Sequence, residues 1–232
     1  MKSTQIDLKK RGYIDDKELQ NYQEMSHTTM VLWINDPDPV KRSIAAHYLD
    51  ALLKEDIILL IDQLKKEKCL YTRIAICEKL QTGNALTASL MVKELGKIGH
   101  NQYHALPKRS SAKKSYPLPR DIIARYLGKM DTVIFPILLE VLETNDANQI
   151  SEVLDAIGFM AFYHPSLATK ENAEKIYTIF DRYQDNPLLI WKGLTCLSAF
   201  PLQETKLILQ GYACQSGVLR LEAQRSLHLM MK

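Results

Sequence analysis

A short phrase, Leu followed by two residues and then another apolar residue, returns along this chain and constrains its fold more than any other feature. Most intervals between the copies are close to the length of a helical hairpin. Regular returns of this length are typical of stacked helical repeats, in which each repeat buries its apolar side against the next. We therefore predict an all-α chain with these leucines in its core: Leu49, Leu95, Leu127, Leu154, Leu197 and Leu227.

Apolar spacing and capping residues divide the chain into helices. Asp15 begins a first helix that ends at Asn35, and Asp38-Pro39 begins a second, because Asp caps a helix and Pro suits its first turn. The short break at 54–56 predicts that this second helix and the next one pair as an antiparallel hairpin. Further helices are predicted over about 70–81, 85–98, 121–130, 137–143, 148–162, 171–183, 188–199, 203–214 and 218–231.

Length and composition indicate a globular protein. The chain has 232 residues, 25% of them charged, and no run of 18 apolar residues that would predict a membrane span. Residues 1–12 lack the apolar core of a secretory signal, so we expect a cytoplasmic protein. We predict a flexible N-terminus over 1–14 and a single helical-repeat domain over 15–232. The four cysteines form no C-x-x-C pair and are interpreted as buried thiols without a zinc site.

The net charge of +3 is unevenly distributed. No Asp or Glu occurs from Leu95 to Arg120, and this window holds six basic residues. Without those six, 24 basic residues face 27 acidic ones, so the rest of the chain has a net charge of −3. The same window contains Pro107, Pro117 and Pro119, which predict a loop insertion over about 100–119. Loops of this length in compact domains are often functional.

Several segments resemble the HEAT-repeat family. The segment DPDPVKRSIAAHYLDALL is similar to the first helix of a HEAT repeat, and ELGKIG resembles the variant called phycobilisome-lyase HEAT-like. Near the N-terminus, an Arg, an Ala and a Leu follow one another at positions i, i+3 and i+7: Arg42, Ala45 and Leu49. The same spacing returns near the C-terminus in Arg220, Ala223 and Leu227. The pair Arg120 and Leu127 keeps the first and last of these positions.

The resemblance implies an α-α superhelix of the ARM-repeat type, a solenoid of about five or six helical hairpins. It implies a non-catalytic scaffold that binds a macromolecule, most simply another protein. In this family, Arg and Asp commonly link successive turns, which makes Arg42 and Arg220 candidates for such links. The chromophore attachment in the family name has no counterpart in these residues.

The basic segment is the candidate binding site. Its functional interpretation is a contact with phosphates or with an acidic protein, with Tyr103 beside the cations for stacking on bases. Its alternative interpretation is a solvated insertion whose charge only aids solubility. A nucleic-acid-binding protein that uses 97–120 is therefore the alternative function. The candidate binding residues are Lys108, Arg109, Lys113, Lys114, Tyr116 and Arg120.

No other pattern predicts chemistry. His100 and His104 have the spacing of two metal ligands on a helix, but Gly99 precedes them and a third ligand is missing nearby, so we predict no metal. Trp33 and Trp191 invite comparison with HEAT-like DNA glycosylases, which use aromatic residues and a carboxylate. Trp191 has no Asp near it in sequence and is interpreted as a packed residue. We predict no cofactor and no enzymatic activity.

Overall fold

The computed structural model describes residues 4–231. These residues form fourteen α-helices and no strand, which confirms the prediction of an all-α helical-repeat arrangement. Within the described range, no helix is long and apolar enough to span a membrane. The chain divides into two compact units, one ending at Met91 and the other beginning at Val92. That the predicted 15–232 segment is a single domain stays a prediction.

The first unit holds seven helices. Side chains of Thr4, Asp15, Ser26 and Asp38 cap four of them by accepting backbone N–H groups of the first turn. Ser26 begins a separate helix within the segment that the sequence predicted as one helix from Asp15 to Asn35. The helices are α1 (Gln5–Lys9), α2 (Asp16–Gln20), α3 (His27–Trp33), α4 (Pro39–Tyr48), α5 (Lys54–Lys66), α6 (Leu70–Gln81) and α7 (Ala85–Met91).

The N-terminal segment differs from the expectation of a flexible terminus over 1–14. Residues 1–3 lie outside the described residues, but α1 forms directly after them. Gly12 has a positive φ of 84°, a conformation that glycine adopts without strain, and its carbonyl accepts a hydrogen bond from Ser43 Oγ at 2.6 Å. The backbone N–H of Tyr71 donates to the carbonyl of Arg11. These contacts tie the segment to α4 and α6.

Helix α4 packs mainly against α3 and α6, and α5 packs against α6 and α7. The predicted hairpin of α4 with α5 is therefore not a main packing contact of this unit. The reason lies in α4 itself, where four consecutive residues, 43–46, are buried. A helix buried all along one turn contacts neighbours on more than one side, and its small residues let those neighbours approach closely.

The second unit begins without a long helix. The helix predicted over 85–98 is shorter, because α7 ends at Met91 and only a 3-10 turn, Val92–Glu94, follows. Gly96 has a positive φ of 75°, which ends helical structure before the predicted boundary. Seven helices follow after residue 121. They are α8 (Ile122–Leu127), α9 (Phe135–Val141), α10 (Ala147–Tyr163), α11 (Lys170–Arg182), α12 (Pro187–Leu197), α13 (Gln203–Ala213) and α14 (Gly217–Met230).

The helices of the second unit are arranged as repeats of two. α8, α10, α12 and α14 form a row in which each helix packs against the next, while α9, α11 and α13 each pack against the row helix that follows. The recurring phrase lies on this row, where Leu127, Leu154 and Leu197 are fully buried. The phrase therefore marks the helices that stack on one another.

Some copies of the phrase depart from the core pattern. Leu49 and Leu95 are fully buried, as is Ala45, but Leu52 is 52% exposed and Ala51 takes its place in the core. In α14, Leu227 is half-buried and Arg220 is exposed. The buried residues of α14 are Glu222, Ala223, Ser226 and Leu229.

Candidate functional site

The acid-free segment 100–120 contains no helix and contacts the row α10, α12 and α14; we call it the strap. Its N-terminal anchor is Gln102. The side-chain amide of Gln102 donates to the carbonyl of Ile98 and to Asp121 Oδ2, both at 2.8 Å. Asp121 is buried and caps α8 by accepting from the backbone N–H of Ala124. Burial raises the pKa of Asp121 despite these hydrogen bonds.

Tyr103 is the second anchor of the strap. Its ring meets the ring of Trp191 edge-on, with 5.2 Å between the centroids. The guanidinium of Arg120 lies over the same ring, 4.4 Å from its centroid. Both ends of the strap therefore meet at Tyr103, which is occupied by contacts within the protein.

Tyr116 is the third anchor, and its position corrects the prediction that it is available to a partner. Its side chain is only 2% exposed and packs against Phe162, with 5.8 Å between the ring centroids. A Cβ atom added at Gly158 would overlap the Tyr116 hydroxyl, so this glycine makes room for the ring. The preceding residue is fixed as well, because Arg225 donates to the carbonyl of Ser115 at 2.9 Å.

The remaining candidate residues are exposed positions of the strap, and Arg109, Lys113 and Arg120 also line a cleft beneath it. Lys108, Arg109, Lys113 and Lys114 are exposed, as is Arg120. Among residues 4–231, Lys108, Arg109 and Lys113 form no ion pair within 4.0 Å. The structure thus places these four lysine and arginine side chains of 108–114 between the anchors at Tyr103 and Tyr116, with Arg120 after the second anchor.

A buried charge cluster lies close to the strap and was missed by the sequence analysis. Lys192 of α12 is 0% exposed, and its ammonium donates to Asp155 at 2.5 Å and to Glu152 at 3.3 Å. Both carboxylates belong to α10. Their i, i+3 spacing in an apolar helix and the lone lysine in LLIWKGLTCL were the available signals.

Burial and neighbouring charges shift the pKa values of Glu152 and Lys192 in this cluster. Burial raises the pKa of Glu152 to about 7, and the neighbouring Lys192 only partly offsets this effect. Burial alone would lower the pKa of Lys192, but Asp155 and Glu152 outweigh it, so its pKa is raised. A buried ammonium held protonated in this way acts neither as a base nor as a nucleophile.

A second buried group connects α12 with α14. Glu222 is fully buried and accepts from Thr195 Oγ1 at 2.9 Å and from Arg225 Nη1 at 2.7 Å, both through Oε1. Its Oε2 atom has no hydrogen-bond partner in the described part of the chain. Glu222 and Asp155 both line a cleft of about 220 Å³ between the strap and the row of helices.

Trp191 lies in the same cleft. The sequence places no Asp near it, but the fold brings Asp155 to the same cavity wall. Trp191 is 6% exposed, as expected for a packed tryptophan. Trp33, in the first unit, packs edge-on against Tyr22 with Lys41 over its ring.

The histidines and cysteines form no recognisable site. Within residues 4–231, no group of three His, Cys, Asp or Glu side chains is placed to hold a metal ion. His100 and His104 are both exposed and belong to the non-helical strap. The prediction that the cysteines are buried is confirmed for Cys77 and Cys196 but is wrong for Cys69, which is half-buried, and for Cys214, which is exposed; none of the four forms a disulfide within residues 4–231.

The site is therefore a fixed, positively charged strap over a cleft that contains buried charges. Sequence analysis located the strap but not the cleft, because Asp155 and Glu222, which line the cleft, are brought together only by helix packing. A comparison of the chain with models of protein families and with curated proteins found no match, so its function has to be inferred from this geometry.

Proposed function

We propose that this chain is a non-catalytic, cytoplasmic HEAT-like repeat protein, a scaffold that binds an acidic segment of another protein through its strap. The observation that carries the proposal is a strap that is anchored on both sides of a set of exposed, unpaired cations. Gln102, Tyr103 and Tyr116 anchor the strap. Lys108, Arg109 and Lys113 remain exposed without an ion pair in the described residues.

A fixed strap favours binding because less conformational entropy is lost when a partner docks. The cations are arranged on a segment without an acidic residue, so a partner with Asp and Glu side chains meets no like charge there. The HEAT-like assignment is supported by the two-helix repeats of the second unit and by the Arg42 link, in which the guanidinium donates to Glu67 at 2.7 and 2.9 Å.

The aromatic residues favour a protein partner over a nucleic acid. Sequence-tolerant binding of single strands relies on bases stacked on exposed aromatic rings. Tyr116 is buried, and the ring of Tyr103 is occupied by Trp191 and Arg120. What remains is a small set of cations, which in nucleic-acid binding supplies affinity that falls steeply with salt.

The test compares the chain with a charge-reversed variant in the native cell extract. Lys108→Glu, Arg109→Glu and Lys113→Glu together should abolish recovery of a stoichiometric partner protein. The matched control reverses three exposed lysines elsewhere, Lys10, Lys17 and Lys206. The control should recover the partner as the unmodified chain does, and equal loss in both variants would contradict recognition by the strap.

Nucleic-acid binding remains the alternative, because six basic residues and no acidic residue lie between Leu95 and Arg120. Fluorescence anisotropy with labelled oligonucleotides at low salt separates the two functions. Tight binding that weakens steeply with salt and is lost in Lys113→Glu with Lys114→Glu would favour the alternative. Absence of binding at low salt would discard it.

A further inference from the structure

The cleft under the strap has walls of opposite charge. Its volume is about 220 Å³, smaller than the roughly 300 Å³ at which pockets for drug-sized ligands begin. Cations and hydroxyl groups of the strap form one wall, and buried polar residues of α10, α12 and α14 form the other. The residues that matter are Arg109, Ser111 and Lys113 on the strap and Asp155, Trp191 and Glu222 on the helices.

Glu222 lacks a partner on one side. Oε1 receives hydrogen bonds from Thr195 and Arg225, whereas Oε2 is buried and has none among the described residues. Leaving a buried charged acceptor unpaired costs more than leaving a neutral one unpaired. A ligand group that donates hydrogen bonds and carries positive charge would satisfy this oxygen.

Among residues 4–231, Trp191 has an unpaired hydrogen-bond donor, whereas Glu222 has an unpaired acceptor. Its indole Nε1 is buried and donates to no acceptor in the described chain. Buried indole N–H groups usually find an acceptor. An anionic group in the cleft would provide it, and Arg109, Lys113 and Ser111 of the strap also line the cleft.

We propose that this cleft binds a small zwitterion, an α-amino acid whose ammonium group faces Glu222 and whose carboxylate lies between Trp191 and the cations of the strap. The two unpaired atoms require a donor and an acceptor, and one small molecule carries both. A simple anion leaves Glu222 unpaired, and a simple cation leaves Trp191 unpaired and faces Arg109 and Lys113. This binding is independent of a protein partner.

The first test is a titration of the purified full chain with each standard α-amino acid at millimolar concentration, by thermal shift and then by calorimetry. At least one should raise the melting temperature and bind saturably with one site per chain. The N-acetyl derivative of that amino acid lacks the ammonium group, and its amide lacks the carboxylate. Each should bind at least about tenfold more weakly than the free amino acid.

Variants locate the site. Arg109→Gln should weaken binding about tenfold, whereas Lys108→Gln, on the same strap but outside the cleft, should leave it unchanged. Trp191→Phe removes the indole donor, keeps an aromatic ring and should weaken binding of the free amino acid more than that of its amide. Glu222→Gln should remove the preference for the free amino acid over its N-acetyl derivative, provided that circular dichroism shows a folded chain.

Three results would overturn the proposal. One is the absence of saturable binding by every amino acid. Another is binding of inorganic phosphate as tight as that of the best amino acid, which would make the cleft an anion site. The third is an equal effect of Arg109→Gln and Lys108→Gln, which would assign the binding to general charge rather than to the cleft.

Discussion

Two buried carboxylates, one in each unit, face basic residues in contrasting ways. Glu67 of the first unit accepts five hydrogen bonds: two from Arg42, one from Gln63 and two from the backbone N–H groups of Lys68 and Cys69. Glu152 of the second unit accepts one from Ser151 at 3.2 Å and one from Lys192 at 3.3 Å. Glu67 therefore has more hydrogen-bond donors around its carboxylate than Glu152 has.

The difference shows that an ion pair does not by itself fix the charge of a buried carboxyl group. Burial opposes ionisation in both cases. For Glu67, hydrogen bonds from Arg42, Cys69 and Gln63 outweigh burial, and its pKa lies below the usual value. For Glu152, burial prevails and raises the pKa to about 7. Glu152 receives fewer and longer hydrogen bonds than Glu67 and also lies beside the carboxylate of Asp155, which raises its pKa further.

The largest expected effect comes from removing the buried ammonium. Lys192→Met leaves Glu152 and Asp155 buried beside each other without a cation, and should lower the free energy of unfolding by about 3–5 kcal/mol. Urea denaturation, followed by Trp191 fluorescence in a Trp33→Phe background, measures this. Adding Glu152→Gln and Asp155→Asn should restore much of the loss. If Lys192→Met is as stable as the parent, the ion pairs of Lys192 contribute nothing to the free energy of unfolding.

The pH dependence of stability should have opposite signs in the two units. The folded chain keeps a proton on Glu152 that the unfolded chain releases between pH 4.5 and about 7, so this group's contribution to stability falls as pH rises through that window. A shift of this size corresponds to about 3 kcal/mol. Denaturation curves from pH 4.5 to 8 should lose this slope in Glu152→Gln, and an unchanged slope would assign it to another group.

Glu67 provides the opposite case, because its pKa is lowered on folding. Its stabilising contribution is present above its unfolded pKa and is lost as pH falls through the folded value. The protection factors of residues 36–69 in hydrogen exchange, which allow for the slower intrinsic exchange in acid, should therefore fall on acidification. In Glu67→Gln, the protection factors of this segment should change less with pH.

A smaller effect is expected from Arg42→Ala, because Arg42 is partly exposed, 13% for its side chain. Glu67 keeps three of its donors in this variant, and the free energy of unfolding should fall by about 2 kcal/mol. Chemical denaturation followed by circular dichroism measures the change. A loss as large as that of Lys192→Met would remove the contrast between the two clusters.

The smallest effect tests whether the planar shape of the Arg42 guanidinium contributes to stability in addition to its charge. Arg42 donates from two nitrogens to two oxygens of Glu67, which lysine cannot reproduce, so Arg42→Lys should cost about 1 kcal/mol. The matched variant of Arg220, Arg220→Lys, should be neutral because that side chain is exposed. Equal stability of Arg42→Lys and the parent would show that only charge matters at this position.

Local signals in the sequence predicted most helices of the second unit well. Asp146, Thr169 and Asn186 cap helices close to their predicted starts, because capping depends on residues within one turn. The errors occur where tertiary contacts decide. Helix α1 lies in a segment predicted to be flexible, yet Gly12 and Arg11 bond to α4 and α6. The helix over 85–98 ends early, in part because Gly96 adopts a left-handed conformation.

The strap shows the same division. Its prolines and lack of acidic residues indicated a charged loop, but not that Tyr116 is buried against α10. The burial depends on the open space at Gly158, which lies 42 positions later in the chain. A contact between residues so far apart leaves no periodic pattern in the sequence. The sequence therefore does not distinguish the buried Tyr116 from the exposed lysines beside it.

The sequence alone determined the helical class of this protein, the row of helices that carries the Leu phrase, and the position of its one long basic segment. These depend on spacing, capping and composition, which act over a few residues. Only the tertiary structure decided which charges are buried together and which strap residues face solvent. Glu152, Asp155 and Lys192 meet because α10 and α12 stack, and Glu222 reaches Thr195 because α12 and α14 stack. The stacking, not the local sequence, removes these side chains from water.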